Sequence, residues 1–93
     1  MTVVDNSSEG RFEASAGGHL AHLDYHRDGE RLVMVHTEVP AALRDHGLGG
    51  QLVEAAVEVA LTSGLTVVPA CSFARSWLRK HPELAAGVKI DWA

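Results

Sequence analysis

An α/β fold is predicted for this chain: a three-stranded antiparallel meander, a helix, a strand parallel to its neighbour, and a short C-terminal helix. Three observations predict it. Apolar and polar residues alternate with period two before residue 27, the period becomes helical after Gly47, and glycine or proline marks each change.

The elements follow in order. Met1 to Gly10 has little apolar content beyond Met1, Val3 and Val4 and is expected to be a flexible lead-in of residues 1–10, with one domain over residues 11–93. From Arg11, Phe12, Ala14 and Ala16 alternate with Arg11, Glu13 and Ser15, and Gly17-Gly18 signals a hairpin. His19 to His26 is the second strand, with Ala21, Leu23 and Tyr25 on one face and His22, Asp24 and His26 on the other. After the Asp28-Gly29 turn, Arg31 to Val39 begins almost continuously apolar, as a strand covered on both faces would, and Pro40 stops it. Leu48, Leu52, Ala55, Ala56, Val59 and Ala60 then recur at helical spacing, with Gly64 as the stop. Leu65 to Cys71 reads as a strand, which a right-handed crossover places parallel to Arg31–Val39. Ser72 is the expected cap of a helix over about Phe73–Lys80 that Pro82 ends, and the stretch from Gly87 to Ala93 reads equally as strand or coil.

Composition narrows the function. Ninety-three residues with 46% hydrophobic content build one modest core. Eight Lys+Arg against twelve Asp+Glu, a net charge of −4, disfavour a broad nucleic-acid surface. One cysteine, no apolar leader and no long apolar run lead to the expectation of a cytoplasmic protein with no membrane partner. His22 and His26 share a strand face, but four residues along a strand span roughly 13 Å, too far for one ion, so no metal is expected and these histidines read as solvent-facing.

The segment Arg44-Asp45-His46-Gly47-Leu48-Gly49-Gly50 lies between a strand and a helix, where backbone N–H groups lack intrahelical partners and attract anions. It fails the dinucleotide fingerprint, because Leu52 occupies the third glycine position, and it lacks the Lys-Ser/Thr of a Walker loop. It does match R-x-x-G-x-G through Arg44, Gly47 and Gly49. With His36-Thr37-Glu38-Val39-Pro40 before it, and Val68-Pro69-Ala70-Cys71-Ser72-Phe73 and His81-Pro82-Glu83 after it, the chain resembles the small single-domain GNAT-like N-acetyltransferases over about Phe12 to Glu83.

That resemblance implies a minimal GNAT fold, acetyl-CoA as co-substrate and acetyl transfer to a primary amine of a small molecule or a protein lysine. It implies that Thr37, Glu38 and Val39 line the pantetheine arm between two splayed parallel strands, with Gly47, Leu48, Gly49 and Gly50 at the diphosphate and Arg44 and Arg75 as nearby cations. The matching cysteine, Cys71, is implied to face the cleft as a catalytic residue, either a transient acyl acceptor or a proton donor to departing CoA. His36, an imidazole on the strand beside the cofactor arm, suits removal of a proton from an ammonium, and Glu38 shares its face. Phe73, Trp77 and Leu78 are expected to pack under the sheet, and the chain to act as a monomer or weak homodimer. Two other readings stay open at this level: a non-catalytic CoA-binding module acting as sensor or partner subunit, and a small interaction domain whose glycine loop holds nothing.

Overall fold

The computed structural model describes residues 2–44 and 46–92. Its centre is a five-stranded sheet of β1 (Val4–Asn6), β2 (Arg11–Ala16), β3 (His19–Asp28), β4 (Arg31–Glu38) and β5 (Thr66–Pro69), lying side by side in that order. The first four are antiparallel, and β4 and β5 are parallel. Among the described residues a 3-10 turn at Ala41–Leu43 is followed by the α-helices α1 (Leu48–Ser63), α2 (Ser72–Lys80) and the single turn α3 (Pro82–Ala85).

The meander follows from its turns and its alternation. Gly17 and Gly18 both take positive φ, +57° and +79°, which a two-residue hairpin of the right twist requires. Phe12, Ala14, Ala21, Leu23, Leu32 and Met34 point to one face and are buried there under Leu48, Leu52, Val53, Ala56, Val57 and Ala60 of α1. The buried stripe of α1 includes Val53 and Val57, whereas Ala55 and Val59 of the expected stripe are half-buried. Both helix ends are closed by left-handed glycines, Gly47 and Gly64, as their lack of a Cβ permits.

Two local expectations are corrected and one left open is resolved. Val4–Asn6, within the stretch read as a loose lead-in, forms an edge strand on β2, and the Tyr25 hydroxyl donates to Asp5 at 2.6 Å to hold it. Cys71, not Ser72, caps α2: its Sγ accepts from the Ala74 amide at 3.4 Å. Ile90 forms a parallel bridge with Val67, and Arg31 pairs with Asp91 at 2.8 Å, so residues 89–91 run along the β5 edge.

The β4–β5 ladder is short, running from Arg31/Thr66 to Met34/Pro69. Thr66 donates to the Glu30 carbonyl and Ala70 to that of Met34, while Val67 donates the other way, to Lys89, so the missing N–H of Pro69, two residues on from Val67, lies on the side away from β4. The ladder ends where the Cys71 amide folds back onto the same Met34 carbonyl at 3.0 Å. Beyond that point β4 continues to Glu38 against β3, while the chain from β5 turns away into α2. The parallel pair opens like a fork.

Candidate active site

A register shift in β4 decides what faces the fork. Asp24 pairs with His36 and Tyr25 with Met34, so Val35 is an extra residue on β4, a β-bulge. One inserted residue reverses the alternation. Thr37, opposite buried Leu23, therefore lies on the helix-covered face, whereas His36 and Glu38 lie opposite Asp24 and His22 on the other face of the sheet. A regular strand would have placed His36, two residues from Met34, on the covered face.

On the helix side the fork opens into a groove of about 460 Å³. Thr37 and Val39 form one wall, Leu43, Arg44 and Gly47 to Gly50 the floor, and Phe73 and Trp77 the other wall. The N-cap Gly47 has no side-chain cap, and the first turn of α1 holds no acidic residue. The amides of Leu48, Gly49 and Gly50 have no acceptor within the helix and carry its positive dipole end. Arg44 stands beside them, its Nε donating to the Val39 carbonyl at 3.3 Å, and His46 is exposed. Asp45 lies outside the described residues.

Gly49 and Gly50 are small for a reason the motif alone does not give. A Cβ on Gly49 would meet the Phe73 ring at 2.5 Å, and one on Gly50 would run into the Trp77 indole nitrogen. These glycines let α2 seat its aromatic rings against the first turn of α1, so Phe73 and Trp77 line the groove instead of packing under the sheet; only Leu78 and Ala74 of α2 are buried. Trp77 is held from behind by His81, stacked at 3.8 Å, whose Nδ1 donates to the Trp77 carbonyl at 2.7 Å.

Cys71 and Thr37 bridge the fork. Cys71 Sγ and Thr37 Oγ1 are 3.4 Å apart, and the thiol is half-buried. The sulfur thus meets a strand hydroxyl from β4 and a backbone amide from α2 where the parallel strands part.

On the open face His36 Nε2 lies 3.5 Å from Glu38 Oε2. The Glu38 side chain therefore sits with His36 and does not line the groove. Arg75 is also apart from it: its guanidinium donates to the Trp92 carbonyl at 3.1 Å, on a different face of α2 from Phe73 and Trp77. His22 is not simply solvent-facing; its Nδ1 is 2.9 Å from Asp24 Oδ1. Among the described residues there is no cluster of three or more His, Cys, Asp or Glu arranged to hold a metal ion, and no helix is long and apolar enough to cross a membrane.

Comparison with known proteins agrees with this geometry. Residues 11–87 match the family model of GCN5-related N-acetyl-transferases. The NMR solution structure of a GCN5-like protein from Staphylococcus aureus superposes with a TM-score of 0.72 at 25% identity, covering 98% of this chain and 91% of that one. With the forked parallel pair and glycine turn in place and most of its length matched, the chain belongs to the GCN5-related N-acetyltransferase family and is an acetyltransferase of GNAT type.

Proposed function

We propose that the protein transfers the acetyl group of acetyl-CoA to a primary amine, on a small molecule or an exposed protein lysine, as a single domain of the reducing cytosol. The observation that carries this reading is the fork itself. It has an anion-receptive groove on one face and an imidazole–carboxylate pair on the other, with a thiol against Thr37 where the strands part.

The residues present fit acetyl-CoA. Uncapped amides of Leu48, Gly49 and Gly50, with Arg44 beside them, suit a diphosphate. The apolar walls from Val39, Leu43, Phe73 and Trp77 suit a flexible, mostly apolar arm, and Thr37 and Val39 flank it. Bound acetyl-CoA supplies an activated acyl carbon on a thioester. His36 takes the proton that the acceptor ammonium must lose before it becomes a nucleophile, and Glu38 attracts that ammonium. Cys71 acts on the sulfur side, as proton donor to the departing thiolate or as a transient acetyl carrier. Arg75, tied to Trp92, is left out of this assignment.

Calorimetry with acetyl-CoA and a thiol-release assay across a panel of primary amines test the reading together. Saturable binding and amine-dependent CoA release are expected. Binding without release to any amine would replace the enzyme reading with a CoA-binding module, and no binding would remove the groove from consideration.

A further inference from the structure

The face of the sheet away from the helices carries a checkerboard of charge. Two cross-strand rows run over β2, β3 and β4: Glu13, His22 and Glu38 in one, Arg11, Asp24 and His36 in the other. Acid and base alternate along each strand and across each row. Arg11 and Glu13 close on each other at one end. His22 in the middle is the least exposed side chain on β3 and β4 here, at 18%, while Glu38 and His36 at the fork are 63% and 58% exposed. A face that served only solubility would need no such gradient.

One hydrogen bond and two longer contacts give the gradient a direction. An ionised carboxylate only accepts, so the 2.9 Å contact with Asp24 takes the proton on His22 Nδ1 and fixes the ring, and it is as the imidazolium, with a proton on Nε2 as well, that the ring attracts the second carboxylate it faces. The fixed ring turns Nε2 toward Glu38 Oε2 at 3.7 Å, the same oxygen that lies 3.5 Å from His36 Nε2. One carboxylate oxygen is thus shared between two imidazoles, whose ring centroids are 6.2 Å apart. Asp24 orients His22, His22 faces Glu38, and Glu38 faces His36.

We propose that His22, set by Asp24, is a positioning residue that holds Glu38 beside His36 and so builds the ammonium-receiving end of the acceptor site, on the sheet face opposite the groove. The inference rests on the acetyl-transfer reading and deepens it: the favoured acceptor is a cationic amine approaching the fork from the open face. Exposed ion pairs contribute little to stability, so these contacts act on geometry more than on folding.

The test is a set of variants at the middle of the array. His22→Phe keeps a ring without nitrogens and should lower kcat/KM for the amine roughly 10- to 100-fold, the scale of a misplaced reacting group, while KM for acetyl-CoA and the thermal midpoint hold. His22→Gln, which returns a donor facing Glu38, should recover most of the loss. Asp24→Asn should also impair the amine step, and the double variant with His22→Phe should be no worse than the more impaired single variant, because the two act in series. Independently of turnover, the NMR resonances of the His36 ring should move in His22→Phe at constant pH. Unchanged amine kinetics, equal loss in His22→Gln and His22→Phe, a parallel change for acetyl-CoA, or a static His36 ring would each overturn the positioning role. If wild-type protein acetylates no amine, the acetyl-transfer reading fails by itself, and the His36 ring still decides whether His22 positions its neighbours.

Discussion

The two halves of β4 have the same strand backbone and opposite purposes. Arg31–Met34 is laddered on both sides, and Leu32 and Met34 are fully buried. Val35–Glu38 keeps its β3 partner, loses β5 and gains a bulge that sends Thr37 to one face and His36 with Glu38 to the other. The first half supplies stability by burial. The second gives up part of its ladder and presents side chains to both faces of the sheet. A strand that kept its ladder to the end would have no fork, and one without the bulge would have turned His36 toward the helices.

The sharpest way to break this contrast is Cys71→Ser at the fork. The hydroxyl can still cap α2 and meet Thr37, so the fold and acetyl-CoA affinity should hold while turnover drops by about 10²- to 10⁴-fold, the usual worth of a positioned proton-transfer or nucleophilic group. Cys71→Ala adds loss of the cap, about 0.5–2 kcal/mol of stability, and comparing the two separates chemistry from capping. Intact-mass analysis after acetyl-CoA treatment distinguishes the two roles: an amine-dischargeable adduct marks a carrier, and lost turnover without adduct marks an acid.

In the paired half the expectation reverses. Leu32→Ala should cost about 2–5 kcal/mol in denaturant unfolding and leave the folded fraction active, whereas Val35→Ala, at an exposed bulge, should cost far less. Equal costs would mean that the halves do not differ as described.

Gly49→Ala sharpens the groove wall. Helix propensity alone favours alanine by about 1 kcal/mol, but the added Cβ meets the Phe73 ring. Net destabilisation of about 1–3 kcal/mol is expected from the clash, relieved when Phe73→Ala is added. A stabilised single variant would show that the contact yields freely.

The smallest effect lies at the far edge. Burial, and then the hydrogen bond to Asp5, raise the Tyr25 pKa from 10.0 to about 12. Tyr25 is neutral when protonated, so its contribution is fully present below pH 10 and is lost as pH rises through about 12. Alkaline unfolding should therefore steepen between these values in the wild type and flatten in Tyr25→Phe, where a pH-independent difference would remove Tyr25 as the source.

Much of this was legible in the sequence. The meander, the helix after Gly47 and the parallel strand came from alternation, paired glycines and the change of period, which are local signals. The glycine turn came from its motif and the shared face of His36 and Glu38 from spacing, but Glu38 was expected along the cofactor arm and instead sits beside His36. The bulge was not legible, because Leu32-Val33-Met34-Val35 has no alternation to interrupt. Phe73 and Trp77 were misplaced because their packing depends on glycines more than twenty residues away, and β1 was missed because three residues in a polar stretch carry no periodicity. Cys71 as a cap went unseen since hydroxyls and carboxylates dominate that position. The His22 array escaped because cross-strand register is a tertiary fact.

That the fork divides donor from acceptor is tested most directly by titrating isotope-labelled protein with CoA and mapping the amide shifts. Thr37, Val39 and Gly47 to Gly50 should move together and saturate, while Arg11, Glu13, His22 and Asp24 on the open face stay in place. Shifts centred on the open face, with the glycine turn unmoved, would contradict the division.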